Sequence, residues 1–125
     1  MQDKAISIGE AELEIMKVLW KADGPMNSQA ISRAVAHKGW KRTTISTFLT
    51  RLVDKGALNS EKQGNSYYYT PAITAKEYKK TQLKSMIKNL FDGSAQKLAV
   101  SLFEEEQFSQ EDIQELKEIF ENRNE

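Results

Sequence analysis

Between Lys41 and Gly56 the apolar residues Ile45, Phe48, Leu49, Leu52 and Val53 recur at i, i+3, i+4, i+7 and i+8. Helical periodicity gathers that spacing onto one face, so this segment is read as a helix. Thr43 or Thr44 stands ready to cap its start, and Lys55-Gly56 closes it with a cation and a glycine. Its other face carries Ser46, Thr47, Thr50, Arg51 and Asp54. Upstream, Ala11, Ile15 and Leu19, flanked by Met16 and Trp20, give a helix over about 10–21 that Asp23-Gly24-Pro25 stops. Asn27 or Ser28 then caps a second helix, about 28–37, with Ile31, Ala34 and Val35 inward. Downstream, Leu58 to Gln63 and Tyr67 to Thr70 flank Gly64-Asn65-Ser66 and read as a hairpin. Three helices followed by a hairpin make a winged helix-turn-helix.

After Pro71 three amphipathic helices follow, over about 74–91, 94–105 and 109–122. Asp92-Gly93 breaks the first from the second, and Ser109 with Asp112 forms a capping box for the third. Their stripes hold Leu83, Ile87, Leu90 and Phe91, then Leu98 and Leu102, then Ile113, Leu116 and Phe120. Such short helices cannot cover those stripes within one chain, and a second copy is the natural cover. The expected fold is therefore mainly α with a small β wing. A winged-helix domain occupies 1–71 and a helical dimerisation domain 72–125.

Charge follows the same division. The 125 residues sum to zero, yet residues 27–70 hold 7 basic against 2 acidic side chains, and residues 101–125 hold 2 against 9. An anion-facing first half and an acidic tail are implied. Cysteine is absent and histidine occurs once, at His37. Disulfides, thiolate metal sites and cysteine nucleophiles are excluded, a Ser-His-Asp triad is poorly supported, and no cofactor is expected. The acidic run Glu104-Glu105-Glu106 reads as a solvated face. The stretch Met1 to Gly9 lacks a signal peptide's apolar core, and no run is long enough to span a membrane, so a cytoplasmic protein is expected.

A helix that reads DNA presents short polar and basic side chains near its amino end, where they reach base edges in the major groove. Lys41, Arg42, Thr43, Thr44, Ser46, Thr47, Thr50 and Arg51 fit that requirement. A solvated threonine-rich face is the competing explanation, but threonine is a weak helix former, and four of them here ask for another reason. In the hairpin loop Lys62, Asn65 and Ser66 can meet phosphates; a plain turn is the alternative. Ser28 and Gln29 open the second helix, where N–H groups could hold a phosphate, and simple capping explains them equally well. Trp20 and Trp40 are read as packing residues and His37 as a helix-end residue without a ligand role.

The stretch Trp40 to Gly56 resembles the signature of the penicillinase repressors, a group that also includes methicillin-resistance and copper-responsive repressors of Gram-positive bacteria. Ile8 to Trp20 is similar to the family's first helix, and the wing ending in Tyr67–Pro71 and the three-helix tail also match, so the resemblance spans nearly the whole chain. It implies a homodimeric repressor on an inverted-repeat operator with TACA/TGTA-type half-sites, controlling a β-lactamase or related resistance operon. It also implies release through a membrane sensor-protease system, which in the β-lactam branch leads to cleavage between asparagine and phenylalanine. The matching place here is Leu102-Phe103, which keeps the phenylalanine and lacks the asparagine. The copper-responsive branch carries a cysteine-rich tail that this chain lacks, so metal sensing of that kind does not carry over. A copper-homeostasis repressor without a cysteine site and a non-regulatory architectural DNA-binding dimer are the alternatives; an enzyme is not expected.

Overall fold

A computed structural model describes residues 6–104 and 109–122, with the side chains at 116, 117 and 119–122 also outside the description. It divides into two compact units, 1–82 and 83–125.

The first unit is built as the periodicity demands. Helix α1 (Glu10–Lys21) buries Ile15, Met16 and Leu19. A two-residue strand β1 (Met26–Asn27) leads into α2 (Ser28–Ala34), capped by the Asn27 side chain, which accepts the Ala30 N–H at 2.9 Å. The helix expected to reach residue 37 ends early. A 3-10 turn, Ala36–Lys38, continues it, and Gly39 at φ +71° stops it. Ile31 and Val35 are buried, but Ala34, expected inward, is exposed at the last position of α2.

Helix α3 (Arg42–Asp54) buries Ile45, Leu49 and Leu52 against α1 and α2. Phe48 and Val53 lie at the edge of that core, Phe48 meeting the Trp40 ring edge-on at 5.3 Å. Its start corrects the threonine caps. Extended Lys41 already turns the chain, so Thr43 and Thr44 fall inside the first turn and no side chain caps it. The glycine stop is as expected, with Gly56 at φ +84°.

Strands β2 (Leu58–Gln63) and β3 (Ser66–Pro71) pair antiparallel from Leu58–Pro71 to Gln63–Ser66, leaving the two-residue turn Gly64-Asn65. Strand β1 adds to the far side of β3, giving the order β1-β3-β2. Two residues show no alternation, so the sequence offers no sign of β1.

Helix α4 (Ala75–Leu90) begins in the first unit and ends in the second. Asp92 and Gly93, both left-handed, separate it from α5 (Ala95–Glu104), and α6 (Gln110–Asn122) follows. The Ser109–Asp112 capping box is present, with the Asp112 N–H donating to Ser109 Oγ at 3.0 Å. The two units differ in one physical respect. Among the described residues, every buried apolar side chain but Leu98 belongs to the first.

Candidate nucleic-acid interface

One buried carboxylate ties α3 to the rest of the first unit. Glu12, 5% exposed on α1, accepts the backbone N–H of Gly9 at 3.0 Å and pairs with the Lys55 ammonium at the end of α3. Burial pushes its carboxyl up, but the Lys55 hydrogen bond, the Gly9 N–H and the charges of Lys55 and Arg51 outweigh it and hold the group below its ordinary 4.5. A depressed folded-state pKa contributes stability above the unfolded value that is lost as pH falls through the folded one. Glu12→Gln is therefore expected to flatten the stability loss seen below about pH 4.5 while keeping an oxygen for Gly9; urea unfolding between pH 7 and 3 checks it. No helical stripe marks Glu12, and only the structure reveals its partner.

With α3 held this way, Lys41, Arg42, Thr43, Ser46, Thr47, Thr50 and Arg51 are exposed and Thr44 is half-buried. Among the described residues, none of Lys41, Arg42, Arg51 and Lys62 takes part in an ion pair. Their charge remains available to an external anion.

The hydroxyls have a more particular chemistry. Thr47 donates to the Thr43 carbonyl and Thr50 to the Ser46 carbonyl, each at 3.0 Å. Bonding back one turn uses the hydroxyl proton and leaves the oxygen as an acceptor. In this arrangement the two threonines can accept from a base amino group or touch a thymine methyl.

The wing presents exposed Lys62 and Asn65, with Ser66 half-buried beside them. Opposite Lys62 in the register stands Tyr67, an amphipathic ring that is 52% exposed. Tyr69, two residues on, packs against the core, and burial pushes its phenol up. Ser28 and Gln29 are exposed, and Asn27 takes the capping role they had been candidates for. His37 lies exposed in the 3-10 turn. Trp20 is a packing residue whose indole N–H donates to the Ile73 carbonyl at 2.9 Å. Among the described residues no group of histidine, aspartate and glutamate is placed to hold a metal, and no helix is long and apolar enough to cross a membrane.

In the second unit Leu83 and Leu90 are exposed, Leu90 by 71%, while Ile87, Phe91, Leu102 and Ile113 are half-buried. Leu98 is buried within the single chain. Leu116 and Phe120 lie outside the described side chains. Phe103 is exposed beside half-buried Leu102 at the end of α5.

Residues 8–122 match a family described as Penicillinase repressor. The chain is 36% identical over 118 residues to the penicillinase repressor of Bacillus licheniformis, covering 94% of this chain and 92% of that one. It is 29% identical to the methicillin resistance regulatory protein MecI of Staphylococcus aureus (strain N315), covering 95% and 97% respectively. Two solution structures resemble it at 40% identity, each over 62% of this chain and 94% of the other. One is the DNA-binding domain of the repressor BlaI (TM-score 0.54), and the other is the B. licheniformis BlaI monomer in complex with the blaP half-operator (TM-score 0.52).

Proposed function

The chain belongs to the penicillinase repressor family, and from that premise we propose that it represses a β-lactamase or related resistance operon by binding an inverted-repeat operator as a homodimer in the cytoplasm. One observation carries the DNA-binding half of this reading. Arg42, Ser46, Thr47, Thr50 and Arg51 are exposed on a helix whose other face is buried through Ile45, Leu49 and Leu52. We assign major-groove contacts to Lys41, Arg42, Thr43, Thr44, Ser46, Thr47, Thr50 and Arg51, and backbone contacts to Lys62, Asn65, Ser66, Ser28 and Gln29. DNA binding is assigned to residues 1–71 and pairing to 72–125, whose first helical turns fold with the winged helix.

The pairing half rests on surface chemistry. Six large apolar side chains are exposed among the described residues, and five of them lie between Leu83 and Phe103. A second copy would cover them. The proposed cut after Leu102 lies beside Phe103 of that same surface, so a membrane sensor-protease system would reach it when the pair opens.

Substitution separates the two kinds of DNA contact. Arg42→Ala is expected to cost about 1–3 kcal/mol on the operator and to relax base preference. Lys62→Ala is expected to weaken operator and random duplex alike and to lower the salt slope by about one unit. Fluorescence anisotropy on operator and scrambled DNA across a salt series checks both. Equal losses on the two DNAs for Arg42→Ala would refute its role in reading bases.

A further inference from the structure

Domains joined by a few residues ordinarily move against one another, because few contacts hold the connection. The connection from wing to α4 is three residues long, Ala72 to Thr74, and each of them, like Pro71 before them, is fastened to something. Pro71 is the last residue of β3, paired with Leu58, and its ring fixes φ. The Ala72 N–H donates to the Ala57 carbonyl at 2.9 Å. The Ile73 carbonyl accepts the Trp20 indole N–H at 2.9 Å. Thr74 and Glu77 cap α4 reciprocally, the Glu77 N–H donating to Thr74 Oγ1 at 3.0 Å and the Thr74 N–H to Glu77 Oε1 at 2.9 Å. One turn on, Tyr78 lies against the same indole with ring centroids 5.9 Å apart. Trp20 thus holds both Ile73, two residues before α4, and the first turn of that helix, and it stands on α1, packed against the core of the winged helix.

We propose that Trp20, acting through Ile73 and Tyr78, is a positioning residue that fixes the direction in which α4 leaves the winged helix, and thereby sets the spacing between operator half-sites that the protein accepts. The inference rests on the dimeric reading given above. Its physical basis is the difference between a tether and a bracket. A loose three-residue chain wanders over about 10 Å, several times the roughly 3.4 Å that one inserted base pair adds between half-sites. A tethered pair of winged helices would therefore follow the half-sites as they move apart or rotate. A bracketed pair cannot, and each change in spacing removes contacts from one half-site.

The test uses the full-length chain and an inverted repeat recovered by the wild type from a random-sequence DNA pool. The centre of that repeat is then lengthened or shortened by one and two base pairs, and a single half-site serves as the control. Wild type is expected to lose about tenfold or more for each changed spacing, whereas Trp20→Phe, which keeps an aromatic ring without the N–H, loses no more than about threefold. Half-site affinity is expected to be unchanged. Tyr78→Leu, a change outside the buried core, is expected to flatten the profile in the same way and carries the test if Trp20→Phe weakens half-site binding. A profile as steep as wild type in a variant with intact half-site binding would overturn the role given to Trp20. So would loss of half-site binding in both variants, since both would then be residues of the fold alone. A wild type that binds one half-site as tightly as the whole repeat would instead overturn the dimeric reading, and the spacing role with it.

Discussion

A chain ended after Gln82 is expected to stay folded, to become monomeric, and to bind the full inverted repeat about 100-fold or more weakly, with single half-site affinity preserved. The reason lies in where the apolar surface is. Residues 1–82 keep the whole core contributed by α1, α2, α3 and the start of β2, together with the Trp20 contacts to Ile73 and Tyr78. The cut removes Leu83, Met86, Leu90, Val100 and Phe103, the exposed side chains that give a second copy something to bind. Linkage of two half-sites contributes no new contact, yet it makes the second binding event intramolecular, and that advantage disappears with the pairing surface. A chain ended at Leu102 reproduces the proposed cleavage product and should fall between the two, because α4 and most of α5 remain. Sedimentation and operator titration of both truncations check the order. Intact-mass analysis of the chain in β-lactam-treated cells checks the cleavage itself. Operon expression that rises while every copy stays full length would remove proteolysis from the mechanism.

Leu52→Ala is expected to destabilise the first unit by about 2–5 kcal/mol, which approaches the whole stability of a domain of this size. Leu52 has no exposure at all and lies on α3, so its truncation leaves a cavity under the helix that faces DNA. Ser46→Ala, on the exposed face of the same helix, should change stability by no more than about 0.5 kcal/mol. Chemical denaturation of the two variants separates the supporting face from the binding face. Operator affinity should follow the opposite order once both proteins are compared under folded conditions.

The parts of the fold legible in the sequence are those governed by local periodicity and local stops. Ile45, Leu49 and Leu52 on α3, Gly56 after it, and the Ser109–Asp112 box each act within a few residues of where they are read. What escaped depends on partners far along the chain. Strand β1 exists only because Met26 and Asn27 meet Tyr69 and Tyr68. Glu12 resembles any surface carboxylate until Lys55, 43 residues later, is folded against it. The Trp20 indole likewise meets the Ile73 carbonyl across 53 residues. Local signals also competed with one another. Extended Lys41 pre-empted Thr43 and Thr44 as the start of α3, and the early end of α2 turned Ala34 outward. For the candidate interface the exposed polar face was legible apart from half-buried Thr44, but the direction of the Thr47 and Thr50 hydroxyls was not, since that is a choice of rotamer rather than of residue type.

The placement of the core almost entirely before Leu58 gives the protein a built-in order of events in time. At ribosomal rates of roughly 5–20 residues per second, the buried side chains of the winged helix have all been made some seconds before the chain is finished. That half can fold while its own tail is still being synthesised, without waiting for another molecule. The tail must meet a second chain, and the rate of such meetings rises with the square of protein concentration. Newly made protein would then pass first through a form that samples single half-sites, and full occupancy of a repeat would switch on steeply with the number of copies in the cell. A modest change in synthesis or degradation of this chain becomes a larger change in how much of the operon is silent.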